Sequence, residues 1–557
     1  MKIVQKGVSY LSGTKYNPSE KIWSGPKSKT VYNSEMTVGE AIVLQLRKTP
    51  EKVIQILEST GETLTAQQFL DHSMSLAKNL LEMGIKGGDI VGGYAKNSLH
   101  LGTVMLASFL CGTPVHGIFQ NFEKDIIAKT YATTRPKLIF CDAENYDKAF
   151  YVLEKLQLDA KIIIMTGHVP GVLNIKDLVK IRFDVGDISE FPCTDMNSSD
   201  TAVILSSSGT TGAPKGILCS HHAMLHNVPY PNATMNSVLM CSSSMYWATG
   251  AIHLVQGLLY SAQRIIPDQP YSDEYFLRTI ERYKVTHCFA TASQIIGWVT
   301  NINHDDIRKY LRSIDTLMTG GSPVPKPVQE QITDILSDNK KRPGYVMIYG
   351  SSEIFIGCSI NGGYPYESKT DTVGKLWHNR EVCIVGENGV RVGPNEKGEI
   401  YVHTPYTWMG YYKNEKATSE AKEDKWIKTG DLGYFDEEGF LHLIGRAKEI
   451  IKWLSFQISP QSVEEILQRL PGIAEVCVFG VPDIASINLV ACAIVRSQDV
   501  EGDQLTAAMV NDYLMSKMDG LYVLRGGIYF MDSLPRTDTG KVQRLRMVQY
   551  IEEEIDR

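Results

Sequence analysis

Residues 206–216, SSSGTTGAPKG, combine hydroxyl side chains, glycines and one lysine in a short stretch that is suited to phosphate chemistry. The hydroxyls and backbone amides can donate hydrogen bonds to phosphate oxygens, and the ammonium of Lys215 can offset their charge. The P-loop of nucleotidases needs Gly directly before its Lys and Ser or Thr directly after it. Here Pro214 precedes Lys215 and Gly216 follows it. The stretch is therefore a different kind of phosphate loop, or else a solvent-exposed turn.

The residues on either side of this loop predict how it is held. An apolar strand at 201–205 leads directly into the loop, and another apolar run, GILC, follows it. This second run does not resemble the start of a helix, whereas a helix follows the loop in P-loop proteins. We therefore expect a hairpin-like loop whose donors face the β- and γ-phosphates of a nucleotide.

Five further motifs follow the loop along the chain. They are TGGSPV (319–324), YGSSE (349–353), TGD (429–431), IGRAKEIIK (444–452) and PRTDTGK (535–541). In their order, the six motifs resemble the signature of the adenylate-forming superfamily, which includes acyl-CoA synthetases, 4-coumarate-CoA ligases, beetle luciferases and peptide-synthetase adenylation domains. The resemblance covers nearly the whole chain. The layout is most similar to the 4-coumarate-CoA ligase-like and luciferase-like acyl-CoA ligases of insects.

The resemblance implies a reaction in two halves. A carboxylate attacks the α-phosphate of ATP to give an acyl-adenylate and pyrophosphate, and a thiol, usually that of CoA, then displaces AMP. The first half brings anions together, so its catalyst must supply positive charge and correct positioning. The expected substrates and cofactors are accordingly ATP, Mg²⁺, CoA and a small carboxylic acid.

The nucleotide site implied by the resemblance is spread over five of the motifs. The leaving pyrophosphate would be held by Ser207, Ser208, Gly209, Thr210, Thr211, Gly212 and Lys215. The adenine slot and its surroundings would be formed by Gly320, Gly321, Ser322, Tyr349, Gly350, Ser351 and Ser352. Asp431 would accept both ribose hydroxyls, and Arg446 would reach the ribose or the α-phosphate.

The metal ion and the main catalytic cation follow from the same resemblance. Glu353, together with Thr211, would hold Mg²⁺, which takes hard oxygen ligands and is often bound by one carboxylate plus phosphates. Lys541, in PRTDTGK, would bridge the substrate carboxylate and the α-phosphate as negative charge develops. A solvated surface lysine is the usual alternative for any single Lys, and the matched motif favours catalysis here.

The motif IGRAKEIIK carries the residues that would couple chemistry to domain motion. Arg446 would assist catalysis beside the ribose, and Lys448 would be the hinge of a small C-terminal domain. In the family this domain rotates between the half-reactions, and such movements can set turnover. Lys452 would act in the thiol-reactive orientation, although a solvated charge is its alternative.

Two segments, 242–257 and 289–301, contain no Asp, Glu, Lys or Arg and resemble the walls of the family's acyl pocket. The expected pocket residues are Tyr246, Trp247, Thr249, Ala290, Thr319 and Ile354. A pocket without fixed charge suits an apolar acyl or aryl chain, and an ordinary core is the alternative. Trp247 stands where luciferases carry a His, and its bulky indole could gate chain length. Tyr246, Trp247 and Ala248 together replace the His-His-Gly of luciferases, which argues against luminescence.

Two positions depart from the family pattern on the side where CoA would bind. Ser455 replaces a glycine that lets the pantetheine arm pass close to the backbone. Pro270 aligns with a basic residue that meets the CoA phosphates in plant ligases. Two alternatives therefore stay open. One is an adenylating enzyme with an acceptor other than CoA, and the other is a weakened relative that binds acyl-adenylate or nucleotide as a sensor.

An α/β framework must position these residues. Apolar runs at 89–95, 136–142 and 161–167 alternate with helical patterns, and the same rhythm returns at 263–300. Such alternation is typical of parallel sheets flanked by helices. Residues 385–445 change to short strands and turns, where the resemblance implies a distorted β-barrel.

The pattern changes again after Arg446, where helical and strand-like runs form a smaller α+β module. We therefore predict a large N-terminal ATP- and acyl-binding domain at 1–445 and a small mobile C-terminal lid domain at 446–557. The boundary lies between two charged, turn-rich stretches, which are typical of domain linkers.

Composition narrows the possible partners. The formal net charge of -7 gives no electrostatic case for nucleic acid or an acidic membrane as partner. None of the ten cysteines forms a C-x-x-C pair, so buried free thiols in a reducing compartment are expected. The apolar stretch 101–119 is interrupted by Gly112 and Pro114, which favours a buried helix followed by a strand over a membrane span.

The two ends of the sequence bear on its compartment. The N-terminus lacks the apolar core of a signal peptide, and the final EEEIDR is not the peroxisomal S-K-L address. We therefore expect a cytoplasmic protein, with peroxisomal import by a route not visible at the C-terminus as the alternative. The sequence gives no indication of an oligomeric state.

Overall fold

The structure of the 557-residue chain is a computed structural model. The structure describes residues 13–28, 32–180, 188–206, 215–226, 233–322, 324–337, 344–355, 357–362, 368–405, 408–453, 456–483, 486–518, 522–536 and 542–555. The tip of the phosphate loop, the PRTDTGK lysine and Ser455 lie outside these ranges.

The described residues form seventeen α-helices. They are α1 (Val38–Leu46), α2 (Ala66–Glu82), α3 (Leu99–Cys111), α4 (Lys124–Thr134), α5 (Tyr146–Leu156), α6 (Ile175–Leu178), α7 (His221–His226), α8 (Ala248–Tyr260), α9 (Asp273–Tyr283), α10 (Ala292–Asn301), α11 (His304–Tyr310), α12 (Lys326–Ser337), α13 (Glu415–Glu420), α14 (Pro460–Leu467), α15 (Val500–Gln504), α16 (Ala507–Lys517) and α17 (Arg544–Ile555). Capping boxes begin three of them, at Thr37, Thr65 and Thr291, where each threonine and a Glu or Gln three residues later satisfy otherwise unpaired backbone amides.

The strands are β1 (Lys15–Asn17), β2 (Ile22–Ser24), β3 (Val53–Leu57), β4 (Thr63–Thr65), β5 (Val91–Tyr94), β6 (Val115–Gly117), β7 (Leu138–Cys141), β8 (Lys161–Ile164), β9 (Leu173–Asn174), β10 (Thr201–Ser206), β11 (Gly216–Ser220), β12 (Val238–Cys241), β13 (Gln263–Ile266), β14 (His287–Phe289) and β15 (Thr316–Gly320). They continue with β16 (Tyr345–Tyr349), β17 (Ser359–Asn361), β18 (Lys375–Leu376), β19 (Glu381–Val385), β20 (Arg391–Val392), β21 (Gly398–His403), β22 (Lys422–Glu423), β23 (Trp426–Phe435), β24 (Leu441–Arg446), β25 (Ile451–Trp453), β26 (Phe456–Ile458), β27 (Ile473–Asp483), β28 (Ile487–Arg496) and β29 (Gly527–Phe530).

The first sheet has the strand order β11-β10-β6-β5-β7-β8-β9. Its neighbouring strands are parallel except β10 and β11, which form an antiparallel hairpin on either side of the phosphate loop. The helix α3 between β5 and β6 is buried at every residue except His100. The predicted buried helix followed by a strand at 101–119 is thus confirmed. Among the described helices, none is long and apolar enough to cross a membrane.

The second sheet has the order β18-β17-β16-β15-β14-β12-β13-β3-β4. Its central pairs, from β16 through to β3, are parallel, and antiparallel pairs lie at both ends. The carboxyl ends of parallel strands meet at one edge of a sheet, which is where ligands bind in open α/β folds. The motif and pocket residues that follow β12, β14, β15 and β16 therefore share this edge.

The third sheet is antiparallel throughout and occupies the position where the resemblance implied a distorted barrel. Its strands follow the order β1-β2-β19-β21-β23-β22, with β20 beside β19 and β24 beside β23. The indole of Trp23 stacks on Phe435 with ring centroids 4.6 Å apart, which buries an aromatic pair between β2 and β23. The strand β23 is longer than the short strands predicted for this region.

The fourth sheet belongs to the small α+β unit near the C-terminus. Its order is β26-β25-β28-β27, and β29 pairs in parallel with β28. Helices α14 and α16 pack on it, and Val463, Leu514 and Val490 are buried in its core. The predicted helices and strands of this unit are confirmed. All ten cysteines of the protein are free and buried, as the sequence predicted.

Candidate active site

The phosphate loop joins the two strands of a β-hairpin. Ser206 and Gly216 form the last cross-strand pair of β10 and β11, and the loop sequence lies between them in the chain. The predicted hairpin is confirmed, whereas the expected pyrophosphate ligands Ser207, Ser208, Gly209, Thr210, Thr211 and Gly212 lie outside the described residues. Lys215, at the end of the loop, is described and exposed.

A buried histidine supports the first strand of this hairpin. The ring of His116, on β6, contacts Ser206 Oγ at 3.1 Å through Nε2 and Thr134 Oγ1 at 3.0 Å through Nδ1. Burial lowers the pKa of His116 to about 4, so the ring is neutral near pH 7. Sequence analysis missed this contact, because no motif links residue 116 to residue 206.

The expected adenine residues follow two adjacent parallel strands. Gly320 ends β15 beside Ile348 of β16, and a side chain at Gly320 would approach the Ile348 carbonyl oxygen to 2.6 Å. Gly321 has a φ of +82°, which a residue with a side chain rarely adopts. Gly320, Gly321 and Ser322 therefore lie at the end of β15, and the run from Tyr349 through Gly350, Ser351 and Ser352 begins at the end of the neighbouring strand β16. The approach of the two strands leaves no room for a side chain at residue 320.

The expected ribose carboxylate is held by two partners from different motifs. The phenol of Tyr349 donates a hydrogen bond to Asp431 Oδ2 at 2.7 Å, and Arg446 Nε lies 2.9 Å from Asp431 Oδ1. Asp431 and Arg446 are also opposite each other in the pairing of β23 with β24. Burial raises the pKa of Asp431, and the charge of Arg446 opposes that rise. The structure brings these three predicted residues together.

The expected metal ligand lies in a second cluster. Glu353 Oε1 accepts a hydrogen bond of 2.9 Å from the hydroxyl of Tyr411, and the ammonium of Lys215 lies 4.8 Å from the centroid of the same ring. Tyr411 was not among the predicted residues. It lies in GYYKN, 58 positions from Glu353, and only tertiary contact shows their relationship.

The donor set around Glu353 fits Mg²⁺ held mainly by the nucleotide. Within the described part of the chain, no group of three or more His, Cys, Asp or Glu side chains could hold a metal ion by itself. Mg²⁺ is commonly bound by one or two carboxylates plus substrate phosphates and water, so a single carboxylate is sufficient.

The expected acyl-pocket residues fall into two groups. Tyr246 and Trp247 lie before α8, with ring centroids 4.7 Å apart at 87°, and Tyr246 also contacts Phe122 edge-on at 5.2 Å. Tyr246 is buried, whereas Trp247 is partly exposed and Thr249 follows it on α8. The second group, Ala290, Thr319 and Ile354, is buried at the carboxyl edge of the second sheet. Pro270, one of the departures from the family pattern, is exposed.

The predicted residues of the small unit are only partly described. Lys448 is exposed in a short 3₁₀ turn at 447–449, and Lys452 lies on β25, with only its backbone described. Lys541 and Ser455 fall outside the described residues. Three residues after Lys541, the largely buried guanidinium of Arg544 binds Glu464 and, at 3.1 Å, Glu449. This ion-pair network was not predicted.

Comparisons with known proteins identify the family of the chain. A family profile described as AMP-binding enzyme matches residues 43–412, and one described as AMP-binding enzyme C-terminal domain matches residues 462–541. The chain is 26% identical over 540 residues to Probable 4-coumarate--CoA ligase 1 of Dictyostelium discoideum, covering 93% of this chain and 95% of the relative. It is 25% identical to Luciferin 4-monooxygenase of Photuris pensylvanica, covering 88% of this chain and 91% of that relative.

Solved structures share the fold. ATP-bound MatB from Rhodopseudomonas palustris superimposes with a TM-score of 0.81 at 20% identity, covering 93% of this chain and 99% of that one. The amide bond synthetase McbA from Marinactinospora thermotolerans gives a TM-score of 0.80 at 21% identity, with coverage of 92% and 99%. Since the AMP-binding profile alone matches more than half of the sequence, the chain belongs to the AMP-binding enzyme family, the adenylate-forming superfamily that its six motifs indicated.

Proposed function

We propose that this protein is an AMP-forming acid–thiol ligase that adenylates an apolar carboxylic acid and transfers the acyl group to CoA. The observation that carries the proposal is that Tyr349, which binds Asp431, and Glu353, which binds Tyr411, belong to one short run at the carboxyl end of β16. The contacts of this run offer a largely buried carboxylate for ribose, a carboxylate for metal and, beside Tyr411, a lysine for phosphate.

ATP would bind with its base beside the glycines of the β15 turn. Asp431 would accept the ribose hydroxyls, since each carboxylate oxygen has a lone pair left after its contact with Tyr349 or Arg446. Arg446 would contribute positive charge on the ribose or α-phosphate side. Lys215 and the loop residues 207–212 would hold the β- and γ-phosphates.

The first half-reaction forms a bond between a substrate carboxylate oxygen and the α-phosphorus. The bond between the α-phosphorus and the bridging oxygen breaks, and pyrophosphate leaves with that electron pair. Lys541 would lie between the two anions and stabilise the charge that develops. Mg²⁺, held by Glu353 with Thr211, would offset the negative charge of the phosphates when bound.

In the second half-reaction the thiol sulfur of CoA attacks the acyl carbon. The bond from that carbon to the phosphate oxygen breaks, AMP leaves, and the thiol proton is released. We propose that residues 446–557 form the mobile lid domain and 1–445 the main domain, with Lys448 as the hinge. Rotation about it would replace Lys541 with Lys452 at the reacting centre.

The substrate proposed is a medium- or long-chain fatty acid or an arylpropenoic acid. The support is the absence of fixed charge in segments 242–257 and 289–301 and the aromatic pair Tyr246–Trp247. The names of similar proteins point the same way, because they include 4-coumarate–CoA ligases and the Peroxisomal OPC-8:0-CoA ligase 1 of Arabidopsis thaliana.

An acceptor other than CoA is the second candidate function. Ser455 and Pro270 are the observations that favour it, since both depart from the family pattern on the CoA side. McbA, which shares the fold, is named as an amide bond synthetase. A sensor without turnover is less well supported, because Lys215, Glu353, Asp431 and Lys541 are all retained.

Pyrophosphate release separates these candidates. The protein is incubated with Mg-ATP and a panel of carboxylic acids, and pyrophosphate is measured before and after CoA is added. Acid-dependent release followed by a CoA thioester is the expected result. Release without a thioester would favour another acceptor, and no release with any acid would favour the sensor.

A further inference from the structure

Tyr411 is fixed in place because its backbone pairs with β11, the strand that follows the phosphate loop. The residue forms an antiparallel bridge with Ile217, the second residue of β11. Two backbone hydrogen bonds continue this pairing, from Leu218 N to the Gly410 oxygen at 3.1 Å and from Tyr412 N to the Gly216 oxygen at 2.7 Å. The segment around Tyr411 therefore lies along the edge of β11, directly beside the residues that end the loop.

The hydroxyl of Tyr411 reaches across to the motif after β16. It donates to Glu353 Oε1 at 2.9 Å, and among the side chains that the structure describes it is the one that hydrogen-bonds Glu353. A phenol carries its proton near pH 7, so its hydroxyl can donate to the carboxylate. The ring of Trp408 packs edge-on at 5.0 Å and restricts the phenol further.

The aromatic face of the same residue meets the lysine of the loop. Lys215 Nζ lies 4.8 Å from the ring centroid, which is within the range of a cation–π contact. One side chain thus contacts both the carboxylate proposed to hold Mg²⁺ and the cation proposed to hold pyrophosphate. A hydrogen bond at Oε1 leaves Oε2 of Glu353 available for a metal ion.

We propose that Tyr411 is a positioning residue for the adenylation half-reaction. Its hydroxyl orients Glu353 toward the metal, and its ring holds Lys215 toward the leaving pyrophosphate. The inference rests on the proposed function, because it gives Glu353 and Lys215 the roles assigned above. Because the hydroxyl contacts Glu353 and the ring contacts Lys215, the two roles can be tested separately.

Two substitutions divide these parts. Tyr411→Phe removes the hydroxyl and keeps the ring, whereas Tyr411→Leu removes both. Tyr275→Phe is the matched control, because the half-buried Tyr275 also donates to a carboxylate oxygen, that of Glu58, at 2.9 Å. Thermal melting first establishes that each variant is folded.

The main measurement is the affinity for ATP at rising Mg²⁺ concentration, determined by calorimetry without any acid substrate. We expect the Tyr411→Phe variant to need a roughly tenfold higher Mg²⁺ concentration to reach its highest affinity for ATP, because it loses a hydrogen bond to a charged group. The Tyr275→Phe control should match the wild type. An unchanged Mg²⁺ requirement in folded Tyr411→Phe would overturn the role of the hydroxyl.

The role of the ring is tested by the exchange of labelled inorganic pyrophosphate into ATP in the presence of each acid of the panel, because this exchange runs through the acyl-adenylate. Tyr411→Leu should raise the pyrophosphate concentration for half-maximal exchange severalfold, a loss typical of a cation–π contact, and Tyr411→Phe should not. Equal values in the two variants would overturn the role of the ring. Absence of exchange in the wild type with every acid of the panel contradicts the proposed function itself, and calorimetric pyrophosphate binding then tests the ring.

Discussion

The phenol of Tyr349 and the carboxylate of Asp431 are hydrogen-bonded at 2.7 Å although they lie on strands of different sheets. Tyr349 ends β16 of the second sheet, and Asp431 lies within β23 of the third. Burial raises the pKa values of both groups, so their contact places a polar pair in a largely desolvated position. A largely buried carboxylate held in this way is a preorganised acceptor, and the hydroxyls that we propose for it are those of a ribose.

We expect Asp431→Asn to raise the Kd for ATP by about ten- to a hundredfold, because ribose would lose hydrogen bonds to a charged acceptor. Tyr349→Phe should have a smaller effect, since it loosens the carboxylate without removing it. Asp436→Asn is the control, because Asp436 also pairs with a cation, Lys369, at 2.8 Å. Calorimetric ATP binding measures all three. Wild-type affinity in Asp431→Asn would contradict the ribose role.

Removing the proposed bridging cation should abolish most adenylation. Lys541→Ala is expected to reduce acid-dependent pyrophosphate release roughly 10²–10³-fold, the effect of losing one preorganised group that stabilises the transition state. The Kd for ATP should change much less. Lys517→Ala, at an exposed position on α16 of the same unit, is the matched control. Normal adenylation by the Lys541→Ala variant would show that the catalytic assignment is wrong.

Substitution of Trp247 should change the acids that are accepted. Trp247→Ala removes a large indole at the start of α8, so longer or bulkier acids should gain in kcat/KM relative to short ones. Adenylation rates over a series of acids of rising chain length measure the shift. Trp377→Phe is a useful comparison, because that buried indole lies beside His378, outside both segments proposed to line the pocket. An unchanged preference in Trp247→Ala would exclude a gate at this position.

The ion pairs of Arg544 should stabilise the small unit strongly. Arg544→Met leaves Glu464 and Glu449 without their shared cation in a largely buried place, and breaking such a pair costs about 3–5 kcal/mol. Arg536→Met breaks a much more exposed pair, with Glu475, and should cost about 1 kcal/mol or less. Denaturant unfolding of the two variants compares these costs. A similar decrease in the free energy of unfolding in both variants would contradict the importance of burial for these ion pairs.

Acidification should destabilise the protein through its neutral buried histidines. The folded pKa of His116 is about 4, below the ordinary value of 6.5, so the unfolded chain binds the proton more readily. The contribution of this ring to the free energy of unfolding is therefore fully present above pH 6.5 and is lost as the pH drops toward 4, by about 3 kcal/mol. Between these two pH values, the melting temperature of the His116→Gln variant should decrease less than that of the wild type. An identical pH profile would contradict the assignment.

Much of the fold was predictable because local patterns dictated it. The alternation of apolar runs and amphipathic helices predicted the parallel sheets, and the absence of a helix start after the loop predicted the hairpin of β10 and β11. The length of β23 was underestimated, because its glycines resemble turn residues until neighbouring strands pair with them.

The amino-acid sequence by itself determined which carboxylates, cations and glycines the chain carries and in which order. That order of motifs was sufficient to indicate the family. Only the tertiary structure decided which of them meet. Tyr411 and His116 carry no local signal, because their partners are 58 and 90 positions away and contact depends on how strands from different parts of the chain pack. Residue types and spacing encode local backbone preferences, whereas long-range contacts arise from burying whole elements against one another.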